Sequence, residues 1–324
     1  MTQTAAILGG GVIGGGWAAR FLLSGWNVNI YDPDPEAERK IGEVLANARR
    51  SLPSLFETDL PAEGKLSFGS NLEAVVKDAS WIQESVPERL ELKQQILAQV
   101  QAVCDSNAVL ASSTSGFKPS QLQKLLDNPA QLIVAHPFNP VYLLPLVELV
   151  GDIHTVTIAK TVLVDLGMFP LHVRKEIDAH IADRFLEAVW REALWLIKDG
   201  IATTGEIDDA IRFGFGLRWA QMGLVETYRV AGGESGMAHF LAQFGPALKW
   251  PWSHLKAPEL SNEIIDRFVE GVEAQSQGKS IREMEKIRDE CLVAIQKVLS
   301  KHNMGAGKTL NEFKKKIESI NKKS

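Results

Sequence analysis

A cluster of glycines near the start of the chain constrains the fold more than any other feature of the sequence. The segment AAILGGGVIGGGWAARFLLSGWNVNIYDPD, residues 5–34, places six glycines in eight consecutive positions. An apolar run typical of a buried strand precedes the glycines, and an apolar run typical of a helix follows them. The segment therefore predicts a strand, a tight turn and a helix in succession.

Gly9, Gly11 and Gly14 form the spacing GxGxxG within this turn. The first glycine permits the tight turn, the second lets the backbone approach a pyrophosphate, and the third lets helix and strand pack closely. The anion would lie on amides at the helix N-terminus, which include those of Val12 and Ile13. In this context the spacing predicts a dinucleotide-binding turn.

Asp32 closes the next predicted strand and indicates which dinucleotide is bound. Its carboxylate would accept hydrogen bonds from the adenosine ribose, and its charge would repel the extra phosphate of NADP. The predicted cofactor is therefore NAD. FAD uses the same glycine spacing and stays open here as an alternative, although the acid and histidine groups further along the chain favour hydride transfer to a nicotinamide.

The first half of the chain alternates short apolar runs with amphipathic helical stretches, which predicts a parallel sheet covered by helices on both faces. After about Asp178 the strand signals nearly vanish and long helical periodicities replace them. We therefore predict an α/β fold, with a doubly wound, mostly parallel Rossmann-type sheet in residues 1–177 and an all-helical domain in residues 178–324. The predicted strands are residues 4–9, 27–32, 65–70, 80–86, 107–114, 131–136, 146–150 and 168–174.

The composition of the chain indicates what kind of partner it binds and in which cellular compartment it is expected. The 324 residues carry a net charge of -5, without the basic excess that nucleic acid or an anionic membrane requires, so a small-molecule substrate is expected. The two cysteines, Cys104 and Cys291, lie outside any metal-binding spacing, which predicts a reducing, cytoplasmic setting without a metal site. The Lys-rich tail after Lys308 is interpreted as a solvated or frayed end.

Polar side chains follow several predicted strands, where an open parallel sheet binds its ligands. They include Glu84, Glu88, residues 112–115 and the pair His136 and Asn139. Oxidation of an alcohol needs a base, a carboxylate that orients the base, and a group that holds the reacting oxygen. His136, Glu148 and Ser115 are the available set. Each has a structural alternative: His136 and Ser115 could cap backbone groups, and Glu148 could pair with an arginine.

Five segments occur in the order found in the 3-hydroxyacyl-CoA dehydrogenase family: the glycine turn, ESVPERLELKQQIL, ASSTS, AHPFNPVYLLPLVELV and IADRFLEAVWREALWLI. The chain resembles this family over residues 1 to about 300. The resemblance implies that Ser115 binds substrate, His136 is the base, Glu148 orients it, and Glu88 and Lys93 contact the ribose on the nicotinamide side. It also implies a helical dimerisation domain and hence a homodimer.

Two departures from the family pattern concern the substrate. Ser113 replaces the asparagine of ASNTS, and Asp183 replaces an asparagine that contacts substrate, just before Arg184. A carboxylate in place of an amide favours a cation nearby.

The helical half refines the resemblance. FGFGLRWAQMGLVET is similar to the family branch that oxidises L-gulonate, and MAHFLAQFGPALKWPW is most similar to the branch that oxidises L-carnitine, a 3-hydroxy acid with a trimethylammonium group. Arg218 could anchor the substrate carboxylate, or could form an ion pair within the protein. Five tryptophans of this half could hold the quaternary ammonium, or could be core or dimer-interface residues: Trp190, Trp195, Trp219, Trp250 and Trp252. A dehydrogenase for L-gulonate or for 3-hydroxyacyl-CoA, and a non-catalytic crystallin-like dinucleotide-binding protein, remain alternatives.

Overall fold

The protein forms two compact units. The computed structural model describes residues 3–253, 256, 259 and 261–321. The first unit contains the chain up to Ile181 together with the residues from Lys286 onwards, and the second contains Ala182–Glu285.

An eight-stranded sheet forms the centre of the first unit. Its strands are β1 (Thr4–Leu8), β2 (Asn27–Tyr31), β3 (Leu66–Phe68), β4 (Trp81–Glu84), β5 (Val109–Ser112), β6 (Leu132–Pro137), β7 (Leu146–Val150) and β8 (Phe169–His172). They lie in the order β3-β2-β1-β4-β5-β6-β7-β8, and every neighbouring pair is parallel except β6 and β7. All eight predicted strands are confirmed, as is the mostly parallel Rossmann-type sheet. Strands β1 to β3 extend toward one edge of the sheet and strands β4 to β8 toward the other, so the strand order reverses between β1 and β4. This switch point is where such folds bind ligands.

Helices cover both faces of this sheet and bury one apolar cluster on each. The first cluster includes Trp17, Phe21 and Ile41, and the second includes Leu97 and Val100. Strands between two helical layers are buried on both faces, which is why they are apolar throughout. The helices in the first part of this unit are α1 (Val12–Leu22), α2 (Ala37–Ser51), α3 (Leu72–Val76), α4 (Leu90–Gln101), α5 (Pro119–Leu122) and α6 (Ile153–Asp165).

The second unit is helical in its described residues. It contains α7 (Ala182–Lys198), α8 (Thr204–Ala210), α9 (Gly216–Ala231), α10 (Gly236–Phe244) and α11 (Asn262–Ser276). A π-helical segment, Ile211–Phe215, joins α8 to α9. Helix α10 was not predicted, because glycines at both ends break the periodic pattern that identifies a helix.

The last two helices are α12 (Ile281–Lys301) and α13 (Gly305–Asn321). The interpretation of the tail as a solvated or frayed end is wrong. Leu310, Phe313 and Ile317 lie on one face of α13 and belong to the first unit's apolar core, with Ile317 fully buried. Lysines occupy the other face of α13, so the composition of the tail did not reveal its apolar face. The compact first unit thus includes residues that the sequence analysis assigned to 178–324, and the boundary at residue 177 stays a prediction about domains.

Candidate active site

The glycine turn has the geometry that close approach of a dinucleotide requires. Gly9 has φ +101°, and a Cβ added there would lie 2.5 Å from the carbonyl oxygen of Ser85. A Cβ added at Gly14 would lie 1.9 Å from the carbonyl oxygen of Gly9. A Cβ at Gly11 would have no described atom within 4 Å. Two of the three glycines are therefore required by internal packing, and the third faces open space where a pyrophosphate fits.

Asp32 lies against this turn at the end of β2. One carboxylate oxygen accepts a short hydrogen bond from the amide of Gly10, and the other accepts from the amide of Asp34 at 2.7 Å. Val12, the first residue of α1, is 56% exposed, so the N-terminal turn of α1 is open to a ligand. The carboxylate and the first-turn amides are the groups that the ribose and pyrophosphate of NAD require, so the residues present fit that cofactor.

His136 and Glu148 meet in the sheet. The antiparallel register of β6 and β7 places them directly opposite each other. His136 Nδ1 lies 3.1 Å from Glu148 Oε2, with the His136 side chain 4% exposed and the Glu148 side chain fully buried. Glu148 Oε1 accepts a hydrogen bond from the amide of Ile181 at 2.9 Å. The structure thus brings together the predicted base and its orienting carboxylate, as an isolated buried carboxylate would require.

A second buried imidazole, which the sequence analysis missed, lies beside this pair. The His180 ring is fully buried, with its centroid 5.2 Å from that of His136. Its Nε2 lies 3.2 Å from the carbonyl oxygen of Thr114, to which it donates as the Nε2–H tautomer. Ala179 and His180 both have positive φ, which turns the chain here. No sequence pattern marks such a turn in two residues other than glycine.

A buried ion pair extends along the ends of β4 and β5. Lys93 Nζ lies 2.7 Å from Glu84 Oε1 and 3.1 Å from Glu88 Oε2, with the Lys93 and Glu84 side chains almost fully buried. Ser112 donates to the other oxygen of Glu84 at 2.5 Å. The predicted cofactor residues Glu88 and Lys93 are therefore in contact.

Glu88 is held by several donors. Thr114 Oγ1 donates a short hydrogen bond to its carboxylate, and the amide of Gly116 donates at 3.3 Å. Burial raises the pKa of Glu88, but the Thr114 hydrogen bond, the charge of Lys93 and the remaining donors outweigh it and hold the pKa below the ordinary value. Glu88 is therefore negatively charged at neutral pH.

Ser115 lies on the exposed loop after β5, directly after Thr114. Because Thr114 contacts both Glu88 and His180, this loop lies near the His136 and Glu148 pair. The substrate role of Ser115 stays a prediction.

The remaining predicted substrate residues lie in the second unit. Asp183 is in the first turn of α7, and Arg218 and Trp219 are on α9. Trp219 packs against Phe215 with ring centroids 4.5 Å apart. The substrate role of these three residues stays a prediction.

Trp195, one of the tryptophans considered for the quaternary ammonium, already holds a cation. The ammonium of Lys198 lies 4.1 Å from the centre of its ring. For Trp195 this contact favours the structural alternative.

Family models match most of the chain. Residues 4–177 match the 3-hydroxyacyl-CoA dehydrogenase NAD binding domain, and residues 180–271 match the C-terminal domain of the same family. The chain belongs to the 3-hydroxyacyl-CoA dehydrogenase family, and the prediction of NAD as the cofactor is confirmed.

Individual relatives narrow the comparison further. An L-carnitine dehydrogenase/betainyl-CoA thioesterase from Ruegeria pomeroyi is 64% identical over 95% of this chain, which spans 64% of that protein's length. An L-carnitine dehydrogenase from Mesorhizobium japonicum is 56% identical over 94% of this chain and 85% of its own length. The predicted resemblance to L-carnitine dehydrogenases is thereby confirmed.

A solved structure supports the fold alone. The NAD+-dependent dismutase 5-formyl-3-hydroxy-2-methylpyridine 4-carboxylic acid 5-dehydrogenase superposes with a TM-score of 0.77 at 23% identity, over 92% of this chain and 99% of that one. Among the described residues, no helix has both the length and the apolar character needed to cross a membrane.

Proposed function

We propose that this protein oxidises the 3-hydroxyl group of L-carnitine to 3-dehydrocarnitine, with NAD as the acceptor. The observation that carries the proposal is the buried pairing of His136 with Glu148, 3.1 Å apart. The relatives named L-carnitine dehydrogenase support the choice of substrate within the family.

His136 is the proposed general base. Its Nδ1 faces Glu148, so Nε2 is the nitrogen that would take the hydroxyl proton. The carboxylate favours the imidazolium that this step produces, because opposite charges lie close together in a site shielded from water. The amide of Ile181 holds the carboxylate in place. Ser115 is proposed to hold the reacting oxygen.

A bound NAD would supply the acceptor for the hydride from C3 of the substrate. Gly9, Gly11, Gly14 and the first turn of α1 would hold its pyrophosphate, and Asp32 its adenosine ribose. Glu88 and Lys93 are proposed to position the ribose on the nicotinamide side.

A cationic substrate is consistent with Asp183 at the position where the family has an asparagine. In this proposal Asp183 favours the trimethylammonium group, Arg218 pairs with the substrate carboxylate, and Trp219 offers an aromatic face.

A substrate panel tests this function. NADH formation is followed by absorbance with L-carnitine, D-carnitine, L-gulonate and 3-hydroxybutyryl-CoA at equal concentrations. We expect L-carnitine to give the highest kcat/KM, because it alone combines the L-3-hydroxyl with a cation. A preference for L-gulonate or the CoA ester would show that L-carnitine is not the substrate, while the proposed oxidation of a 3-hydroxyl group would still hold. NADH formation from none of them would favour the crystallin-like, non-catalytic role.

We further propose that the protein is a homodimer formed by the second unit. That unit exposes several large apolar side chains, including Phe185, Leu186 and Trp190 on α7 and Leu217 and Val225 on α9. Exposed apolar groups in such number are typical of a surface that another chain covers. Sedimentation of the purified protein as a monomer would contradict this.

The cytoplasm is the proposed compartment. Cys104 and Cys291 are free thiols, as expected in a reducing environment.

A further inference from the structure

A chain of hydrogen bonds, which starts between buried side chains and becomes partly buried, ends at a serine beside the glycine turn. Trp81 Nε1 donates to Gln83 Oε1 at 2.9 Å, and Gln83 Nε2 lies 2.8 Å from Ser113 Oγ. Trp17 Nε1 lies 3.2 Å from the same Ser113 oxygen, and Ser85 Oγ lies 2.8 Å from it. Trp81 and Gln83 are fully buried.

The chemistry of these groups decides the orientation of the Gln83 amide. An indole nitrogen can only donate, so the Gln83 atom that faces Trp81 must be the carbonyl oxygen. The amide nitrogen therefore faces Ser113 and donates to it.

The position of the Ser113 proton follows. Ser113 Oγ receives one hydrogen bond from Gln83 and one from the Trp17 indole, which together use both of its lone pairs. The Ser113 hydroxyl must then donate to Ser85 Oγ, the remaining partner. Since Ser85 Oγ accepts this bond, its own proton is directed elsewhere.

Ser85 is located where the cofactor is expected. It directly follows β4, at the switch point of the sheet, and its amide donates to the carbonyl of Leu8 at the end of β1. Its carbonyl oxygen is the atom that excludes a side chain from Gly9. Asp32 lies on the other side of β1, at the end of β2. If the adenosine half extends toward Asp32 and the pyrophosphate lies at the turn, the nicotinamide half extends over β4.

We propose that Ser85 is a further cofactor-binding residue, and that its hydroxyl donates a hydrogen bond to an oxygen of the nicotinamide half of NAD. Ser113 and Gln83 are positioning residues that direct this proton. Ser113 lies where the family has an asparagine. Its hydroxyl accepts hydrogen bonds from two buried donors, and this fixes its own hydrogen bond as a donation to Ser85. The proposal rests on NAD as the cofactor and not on the choice of substrate.

Equilibrium binding tests the proposal without turnover. The dissociation constants of NADH and AMP are measured by fluorescence titration and calorimetry for the wild type, Ser85→Ala, Ser113→Ala and the double variant. We expect Ser85→Ala to weaken NADH about 3- to 10-fold, as for loss of one hydrogen bond. AMP, which contains only the adenosine half, should bind as in the wild type. Ser54→Ala, a change at an exposed serine, is the matched control and should alter neither constant.

The double variant tests the relay. If Ser113 acts through Ser85, the double variant binds NADH no more weakly than the single variant with the lower affinity for NADH. The effects of the two substitutions on the dissociation constant are then not additive. Ser85→Thr keeps the hydroxyl and should restore binding, whereas Ser85→Cys, a weaker donor, should not. This second pair provides the test if Ser85→Ala does not fold.

Three results would overturn the proposal: unchanged NADH affinity in Ser85→Ala, equal weakening of NADH and AMP, or additive effects of the two single variants. A wild type that binds NADH but does not oxidise L-carnitine would contradict the proposed function alone, and this test would still be valid.

Discussion

At the residue scale, the register of β6 and β7 pairs His136 with Glu148. The sequence predicts the pair because Glu148 lies in an apolar strand and needs a partner, and His136 ends another strand. The position of His180 could not be predicted, because two consecutive residues with positive φ bring it there and its neighbours are distant in sequence.

Replacement of His136, the proposed base, tests the chemistry directly. His136→Gln is expected to lower kcat with L-carnitine by about 10²- to 10⁴-fold, the usual contribution of general base catalysis, with a much smaller change in KM. Steady-state kinetics measure the effect, and NADH titration verifies that cofactor binding is retained. His154→Gln is the matched control, because His154 is exposed at the start of α6. Near-normal turnover of His136→Gln would exclude His136 as the base.

At the scale of elements, the turn between β1 and α1 contains two kinds of glycine. Gly14 is required by packing, since an added Cβ would collide with the Gly9 carbonyl. Gly11 has open space around it among the described atoms. The GxGxxG spacing predicts these two roles, and the distances in the packed turn agree with them.

Alanine at each position should therefore have a different effect. Gly14→Ala should lower the free energy of unfolding by about 3 kcal/mol, because the backbone must shift to admit the methyl group. Gly11→Ala should leave the urea unfolding curve unchanged but weaken NADH binding, because its methyl group would occupy the space needed by the pyrophosphate. Equal effects of both variants on stability would contradict this distinction.

The strands were easier to predict than the short helices. Each strand is an apolar run bounded by polar or turn-forming residues, which is typical of a sheet covered on both faces. Helices α3 and α5, of five and four residues, are too short to show a helical period.

At the scale of the whole molecule, the C-terminal helix completes the core of the first unit. Phe313 of α13 lies edge-on to Phe56, with ring centroids 5.6 Å apart. The guanidinium of Arg20 lies 5.7 Å from the centre of the Phe313 ring. The chain therefore leaves the first unit after Ile181 and returns to it from Lys286.

Removal of this side chain should destabilise the protein. Phe313→Ala is expected to lower the free energy of unfolding by about 3–5 kcal/mol, the usual effect of truncating a buried phenylalanine. Urea denaturation measures it, and Lys315→Ala on the exposed face of α13 is the control. If both variants unfolded at the same urea concentration, α13 would not contribute to the core.

The sequence by itself predicted the class of fold, NAD as the favoured cofactor and the need of the buried Glu148 carboxylate for a partner, because these depend on local periodicity, on glycine spacing and on the cost of burying a charge. Only the tertiary structure decided the place of α13, the imidazole of His180 and the direction of the Ser113 hydroxyl. These features depend on groups far apart in the chain that meet only when the core is packed. Their orientation follows from which donors and acceptors remain once that packing is complete.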